Sequence, residues 1–172
     1  YEKIKVDASI GPVGAIIDGV DLSGKLSKQE VVEIHQAWLE HHVVFFRNQD
    51  LSPKQQADFA ACFGELDIYP FMQAVGDHPN VIPIIKEPAA ELNFGGAWHT
   101  DTSYQERPPK ATVLYAMQVP DEGGDTLFAD NTAAFESLSI GMRDSLQTLT
   151  GIYSPKMVHG IDGGYNQVAA TK

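Results

Sequence analysis

Apolar residues recur with two different periods in the first half of the chain. Residues 1–22 alternate apolar and small residues around Gly11, Pro12, Gly14 and Gly19, the pattern of short strands joined by turns. Ser27-Lys-Gln-Glu30 then forms a capping-box pattern, in which the serine hydroxyl accepts from the N3 amide and the glutamate reaches back to the cap. Val31, Ile34, Trp38 and Leu39 follow at helical spacing and predict a helix to about His42. The apolar run Val43-Val-Phe-Phe46 predicts a buried strand. Ser52, Pro53 and Gln55 repeat the start signal for a second helix. Phe59, Cys62 and Phe63 give it an apolar face, and Gly64 offers a stop.

The second half is patterned differently. From Asp67 to Leu92 the chain is rich in proline, with one short strand near Val81–Ile85, and loops of this length are often functional. Residues 97–101 predict a short extended segment, 111–119 a stronger strand and 125–129 another. Asn131–Ser137 and Gly141–Leu149 read as helices, and the stretch after Tyr153 is poorly patterned. The expected class is α+β with strands dominating the second half. At 172 residues, one domain is expected.

Charge and composition narrow the range of partners. The formal net charge is -11, which argues against a nucleic-acid groove or an anionic membrane surface but leaves room for a small anion in a locally positive pocket. No apolar run approaches the roughly 20 residues that span a bilayer. The N-terminal Tyr1-Glu-Lys-Ile-Lys5 lacks the apolar core of a signal peptide, so a cytoplasmic location is expected. Cys62 is the single cysteine; it permits no intrachain disulfide and reads as a buried structural thiol on the second helix.

The chemistry-bearing segment is Trp98-His-Thr-Asp101. On an extended strand, residues two apart project to one face, roughly 6.5–7 Å apart along the chain, so His99 and Asp101 can converge on one metal ion. Two histidines and a carboxylate on one face of an octahedron leave three positions open, the arrangement of non-haem Fe(II) oxygenases. By itself His-x-Asp also describes an ordinary surface pair. The motifs around it carry more information.

Asn93-Phe-Gly-Gly-Ala-Trp-His-Thr-Asp-Thr-Ser-Tyr104, then Arg107-Pro-Pro109, then Val119-Pro-Asp-Glu-Gly-Gly-Asp-Thr-Leu-Phe-Ala-Asp130 together resemble the taurine dioxygenase / chlorophenoxyacetate dioxygenase (TauD/TfdA) family. The resemblance runs from Gly11-Pro12 and Gly19-Val-Asp-Leu22 through Val43-Val-Phe-Phe-Arg47 and Phe63-Gly-Glu-Leu66 to about Leu149. It implies a double-stranded β-helix (jelly roll) with flanking helices, incomplete in this chain. His99 and Asp101 would bind Fe(II), and the hydroxyl of Thr126 a carboxylate of the co-substrate 2-oxoglutarate, with Gly123-Gly124 turning the chain into that segment. Thr102 would meet the substrate through its backbone, and Tyr69, Asn93 and Phe94 would line the pocket. The implied activity is hydroxylation of a small, anionic organic substrate by O2, with release of succinate and CO2. That substrate would be of the sulfonate, alkyl sulfate or aryloxy acid type. Taurine dioxygenase has a histidine where this chain has Tyr69, and a tyrosine, which cannot become cationic near neutral pH, weakens the case for a taurine-like sulfonate.

The family's second histidine ligand and its 2-oxoglutarate-binding arginine lie well over a hundred residues past the His-x-Asp motif. His159 is the sole histidine after Asp101 and stands at a different place. His35, His41, His42 and His78 read as solvated or capping residues. Residues 1–172 are therefore expected to be the N-terminal portion of a single dioxygenase domain. A homo-oligomer is in keeping with the family, although the chain carries no interface signal. Two alternatives stay open: a non-catalytic truncated relative, and a metal-dependent hydrolase using the same His/Asp pair.

Overall fold

A computed structural model describes residues 1–69, 72–87 and 96–154. The chain divides into two compact units, one of Tyr1–Gly64 with Tyr115–Thr150 and one of Glu65–Leu114 with Gly151–Lys172.

The first unit is built on a three-stranded sheet of β1 (Lys5–Asp7), β2 (Ala15–Asp18) and β3 (Val44–Phe46), in that spatial order. β1 pairs antiparallel with β2, with Val6 opposite Ile17, and β2 pairs parallel with β3, with Ile16 opposite Phe45. A parallel pair needs a long crossover, and helix α1 (Lys28–His41) supplies it. The central strand alternates, with Ala15 and Ile17 fully buried, and Ile34 and Ala37 of α1 are buried with them. Gly14 opens β2 at φ +100°, where a Cβ would stand 3.0 Å from a ring carbon of Phe45 and 3.3 Å from Ile10. Only glycine tolerates both the dihedral and the approach.

Both capping boxes form as the sequence predicts. Ser27 caps α1 with Glu30 reaching back, and Ser52 caps α2 (Pro53–Ala61) with Gln55 in the reciprocal role. Phe59 of α2 is buried and meets Phe46 and Phe63 edge-to-face, with ring centroids 5.5 and 5.3 Å away. α2 ends at Ala61, before Gly64, and Cys62 caps it in a right-handed helical conformation. Cys62 is exposed, against the expectation of a buried thiol, because this C-cap position leaves the apolar face to Phe59. α3 (Asn131–Glu136) and α4 (Ile140–Gln147) are capped by Asp130 and Ser139. His42 follows α1 as its C-cap at φ 67° and lies 3.4 Å from Asp130, so it is a capping residue as expected.

The apolar face of α1 departs from the reading of its periodicity. Leu39 is exposed and Glu33 is buried. The Glu33 carboxylate accepts the backbone N–H groups of Glu2, Lys3 and Ile4 and the side-chain amide of Gln29, at 2.8–3.2 Å. A charge can be buried when this many donors replace its water. Burial opposes ionisation, yet the donors prevail and hold the Glu33 pKa down from the ordinary 4.5 to about 2.

The expected predominance of strands in the second half is corrected. Among the described residues, helices exceed strands, and 81–85, 97–101, 111–119 and 125–129 join no ladder. A strand exists only through a neighbour that takes up its N–H and C=O groups, and no described segment pairs with these. Their apolar side chains stand open, among them Leu114, Met117, Val119 and Leu127, each at least 65% exposed. Among the described residues, no helix is long and apolar enough to cross a membrane.

Candidate metal and co-substrate site

The second unit contains His99 and Asp101, and hydrogen bonds rather than ladders organise its described part. Asp67 accepts from Asn80 Nδ2 through its carbonyl at 2.8 Å and from Gln105 Nε2 through its carboxylate at 3.3 Å. The stretch carrying Tyr69 is thereby tied to the turn that follows Asp101. Tyr69 itself is half-buried. Burial, and then the negative charge of Asp67, push the Tyr104 phenol above its ordinary range.

His99 and Asp101 come together by a route other than the expected strand. Residues 101–104 form a turn, closed by Gln105 N–H donating to Thr102 C=O at 2.9 Å. Thr102 sits at φ 46°, a left-handed conformation that is costly for a β-branched residue, of order 1–3 kcal/mol. Its Oγ1 is buried and has no hydrogen-bond partner among the described residues. The bend still leaves His99 Nε2 only 3.0 Å from Asp101 Oδ1. Both side chains are about half exposed, at 51% and 57%.

The other ring nitrogen, His99 Nδ1, lies 2.7 Å from the carbonyl oxygen of Ala97. A carbonyl only accepts, so Nδ1 carries the proton. In the neutral imidazole Nε2 then presents a lone pair to a carboxylate oxygen, and two acceptors face one another at 3.0 Å. A cation resolves this opposition, either a proton on Nε2 or a metal ion bound by both atoms. Metal-bound histidines are fixed by this kind of carbonyl contact on the far nitrogen. The pair suits a divalent metal that takes imidazole and carboxylate together, as Fe(II) does. Among the described residues, no group of three or more His, Cys, Asp and Glu side chains converges to hold an ion.

Two contacts went unread in the sequence. Thr112 Oγ1 donates to Asp101 Oδ2 at 2.9 Å, and Gln105 binds Asp67 as described. The signal for Thr112 was present as a hydroxyl just after Arg107-Pro-Pro109, but as one residue of an expected strand it looked unremarkable. Thr126 belongs to the first unit, exposed, two residues after Gly123 and Gly124 at φ +77° and +73°. Both glycines take the positive φ that only glycine adopts freely, while the bend itself falls at 121–122 and no strand follows. Asn93, Phe94 and His159 lie outside the described residues. A hollow lined by Lys25, Gln55, Asp58, Phe59 and Cys62 is part of the first unit and contains none of the expected site residues.

An imidazole with its tautomer fixed is thus turned onto a carboxylate two residues on. The chain belongs to the TauD/TfdA family: the family model described as "Taurine catabolism dioxygenase TauD, TfdA family" matches residues 6–171. It is 31% identical to an alkylsulfatase of Acinetobacter baylyi over 92% of this chain and 50% of that protein. It is 34% identical to an alpha-ketoglutarate-dependent sulfonate dioxygenase of Saccharomyces cerevisiae over 90% of this chain and 40% of that one. The crystal structure of a taurine dioxygenase from Burkholderia xenovorans superposes with a TM-score of 0.72 at 38% identity, covering 84% of this chain and 51% of that one. The chain thus spans about half the length, or less, of these relatives. Membership implies Fe(II), 2-oxoglutarate and O2 as the family's metal and co-substrates.

Proposed function

We propose that this chain is the N-terminal portion of a single jelly-roll dioxygenase domain that hydroxylates a small anionic organic substrate. His99 and Asp101 supply two of three protein ligands to Fe(II), and a histidine outside residues 1–172 supplies the third. The observation that carries the reading is the 3.0 Å approach of His99 Nε2 to Asp101 Oδ1 with Nδ1 committed to Ala97, in a chain matched by the family model over residues 6–171.

When bound, Fe(II) with 2-oxoglutarate supplies O2 activation coupled to decarboxylation, giving succinate, CO2 and one oxygen atom for the substrate. The protein's own residues prepare that chemistry. Ala97 fixes the His99 tautomer so that the ring meets the metal with a lone pair. Thr126 donates its hydroxyl to a 2-oxoglutarate carboxylate. Thr102, held in a strained turn, meets the substrate through its backbone. Tyr69, Asn93 and Phe94 shape the pocket. Tyr69, neutral where taurine dioxygenase has a histidine, weakens the case for a taurine-like sulfonate. The similar proteins include an alkylsulfatase and a sulfonate dioxygenase. Small molecules rather than nucleic acid or membrane remain the proposed partners and the cytoplasm the proposed location, with a homo-oligomer in keeping with the family.

The test uses the intact protein. Anaerobic Fe(II) and 2-oxoglutarate give a weak visible charge-transfer band, and His99→Ala abolishes it. Unchanged iron binding in His99→Ala would sink the metal assignment. Succinate release, screened across sulfonates, alkyl sulfates and aryloxy acids, identifies the substrate class. Substrate turnover that continues without O2 and 2-oxoglutarate would point instead to a hydrolase.

A further inference from the structure

We propose that Thr112 is a positioning residue that keeps Asp101 a one-oxygen ligand. The inference rests on the Fe(II) reading above and goes beyond it. The two carboxylate oxygens of Asp101 are differently engaged: Oδ1 faces His99 Nε2 at 3.0 Å, while Oδ2 accepts the Thr112 hydroxyl at 2.9 Å. Thr112 is eleven residues further on, brought back after Arg107-Pro-Pro109, whose prolines restrict the return path. Both side chains are exposed, so this hydrogen bond contributes little to folding; its consequence lies in which oxygen is left free.

That choice matters for a metal with six positions. Two histidines and one carboxylate oxygen leave three positions, enough for a two-atom keto-acid chelate and O2. A carboxylate binding through both oxygens would occupy a fourth position and exclude one of those atoms. Ionised Asp101 has acceptor capacity on both oxygens and no intrinsic preference between the two modes. A donor on Oδ2 engages the lone pair of that oxygen and fixes the carboxylate plane. Ala97 does the equivalent for His99, so each member of the pair has its far atom held by a neighbour.

The experiment compares Thr112→Val, Thr112→Ala and Thr112→Ser in the intact protein, anaerobically, titrating Fe(II) at saturating 2-oxoglutarate and reading the chelate's visible band. Loss of an outer hydrogen bond to a metal ligand costs about 10-fold or more in metal affinity. Thr112→Val and Thr112→Ala should therefore need about 10-fold more Fe(II) for half-maximal band. Thr112→Ser, which keeps the hydroxyl, should stay within about twofold of the parent. Circular dichroism selects folded variants, and if Thr112→Val does not fold, Thr112→Ala carries the same comparison. Hydroxyl-free variants that titrate like the parent overturn the proposal, as does a Thr112→Ser as weak as Thr112→Val. A parent protein that gives no band at all overturns the iron reading itself, an outcome distinct from either.

Discussion

The two units of this chain are organised by different forces. Among the described residues, the three strands and four helices lie in the first unit, as do the buried apolar residues Ile4, Ala15, Ile17, Leu22, Ile34, Ala37 and Phe59. The described part of the second unit has one isolated bridge, Val75 to His78, and is otherwise turns and side-chain hydrogen bonds centred on Asp67 and Asp101. In the first unit the sheet and α1 bury apolar side chains against one another. The second leaves a half-exposed imidazole and carboxylate close together and holds Thr102 in strain beside them. The buried core and the proposed metal pair therefore lie in different stretches of one chain, and substitutions should separate them.

The largest effect is expected at Asp101. Asp101→Ala removes a metal ligand and should lower iron-dependent turnover of the intact protein by at least about 100-fold, while its thermal midpoint without metal stays within about 2 °C of the parent. Half-exposed Asp101 supports no core. A large loss of metal-free stability would break the division just drawn.

The reverse case is Ile17→Ala. Ile17 is 1% exposed on the central strand, opposite Val6 on one side and Phe46 on the other. Truncating a buried isoleucine costs about 2–5 kcal/mol through lost transfer energy and the cavity left behind. The denaturant midpoint should fall accordingly, with Fe(II) affinity of the remaining folded protein unchanged. Equal losses of stability and affinity would show that the two units respond as one.

The same division explains what could be read from the chain. Ser27 and Ser52 with their reciprocal Glu30 and Gln55 announced both helices, because caps and apolar periodicity are local signals. The pairing of His99 with Asp101 and the positive φ of Gly123 and Gly124 were legible through motif, yet the geometry of the pair was misjudged. A left-handed Thr102 bends the segment where a strand was expected, and no local preference announces a strained threonine. Strands at 111–119 and 125–129 were read from residue type alone, whereas a strand depends on a partner that the described residues do not provide. Glu33 was invisible for a related reason. Its burial depends on three N–H groups roughly thirty positions away, so its helical spacing gave no hint.

Glu33 sharpens the contrast, since it is a polar network placed inside the apolar unit. Its folded pKa, about 2, lies below the ordinary 4.5. A depressed carboxylate contributes stability that is full above the ordinary range and is lost as pH falls through the folded value. Parent and Glu33→Gln should therefore differ most in thermal midpoint above about pH 5 and converge as pH approaches 2, when the parent's carboxylate is protonated too. A difference independent of pH would mean that Glu33 acts through packing, not charge.

The smallest effect lies at the caps, which belong wholly to the first unit. Ser27 Oγ accepts from Glu30 N–H at 3.3 Å, and Glu30 returns the bond to Ser27 N–H at 2.7 Å. Ser27→Ala frees one helix-terminal N–H to water while leaving Glu30 its bond to the N–H of residue 27, at a cost of about 1 kcal/mol. The 14-residue α1 is also the crossover between β2 and β3, so fraying its first turn should loosen the sheet register without touching the metal pair. Hydrogen exchange should accordingly quicken at Glu30 and Val31 and stay unchanged at His99 and Asp101. Faster exchange at His99 would show that the first unit holds the metal turn in place, and the separation of stability from chemistry would fail at its mildest test.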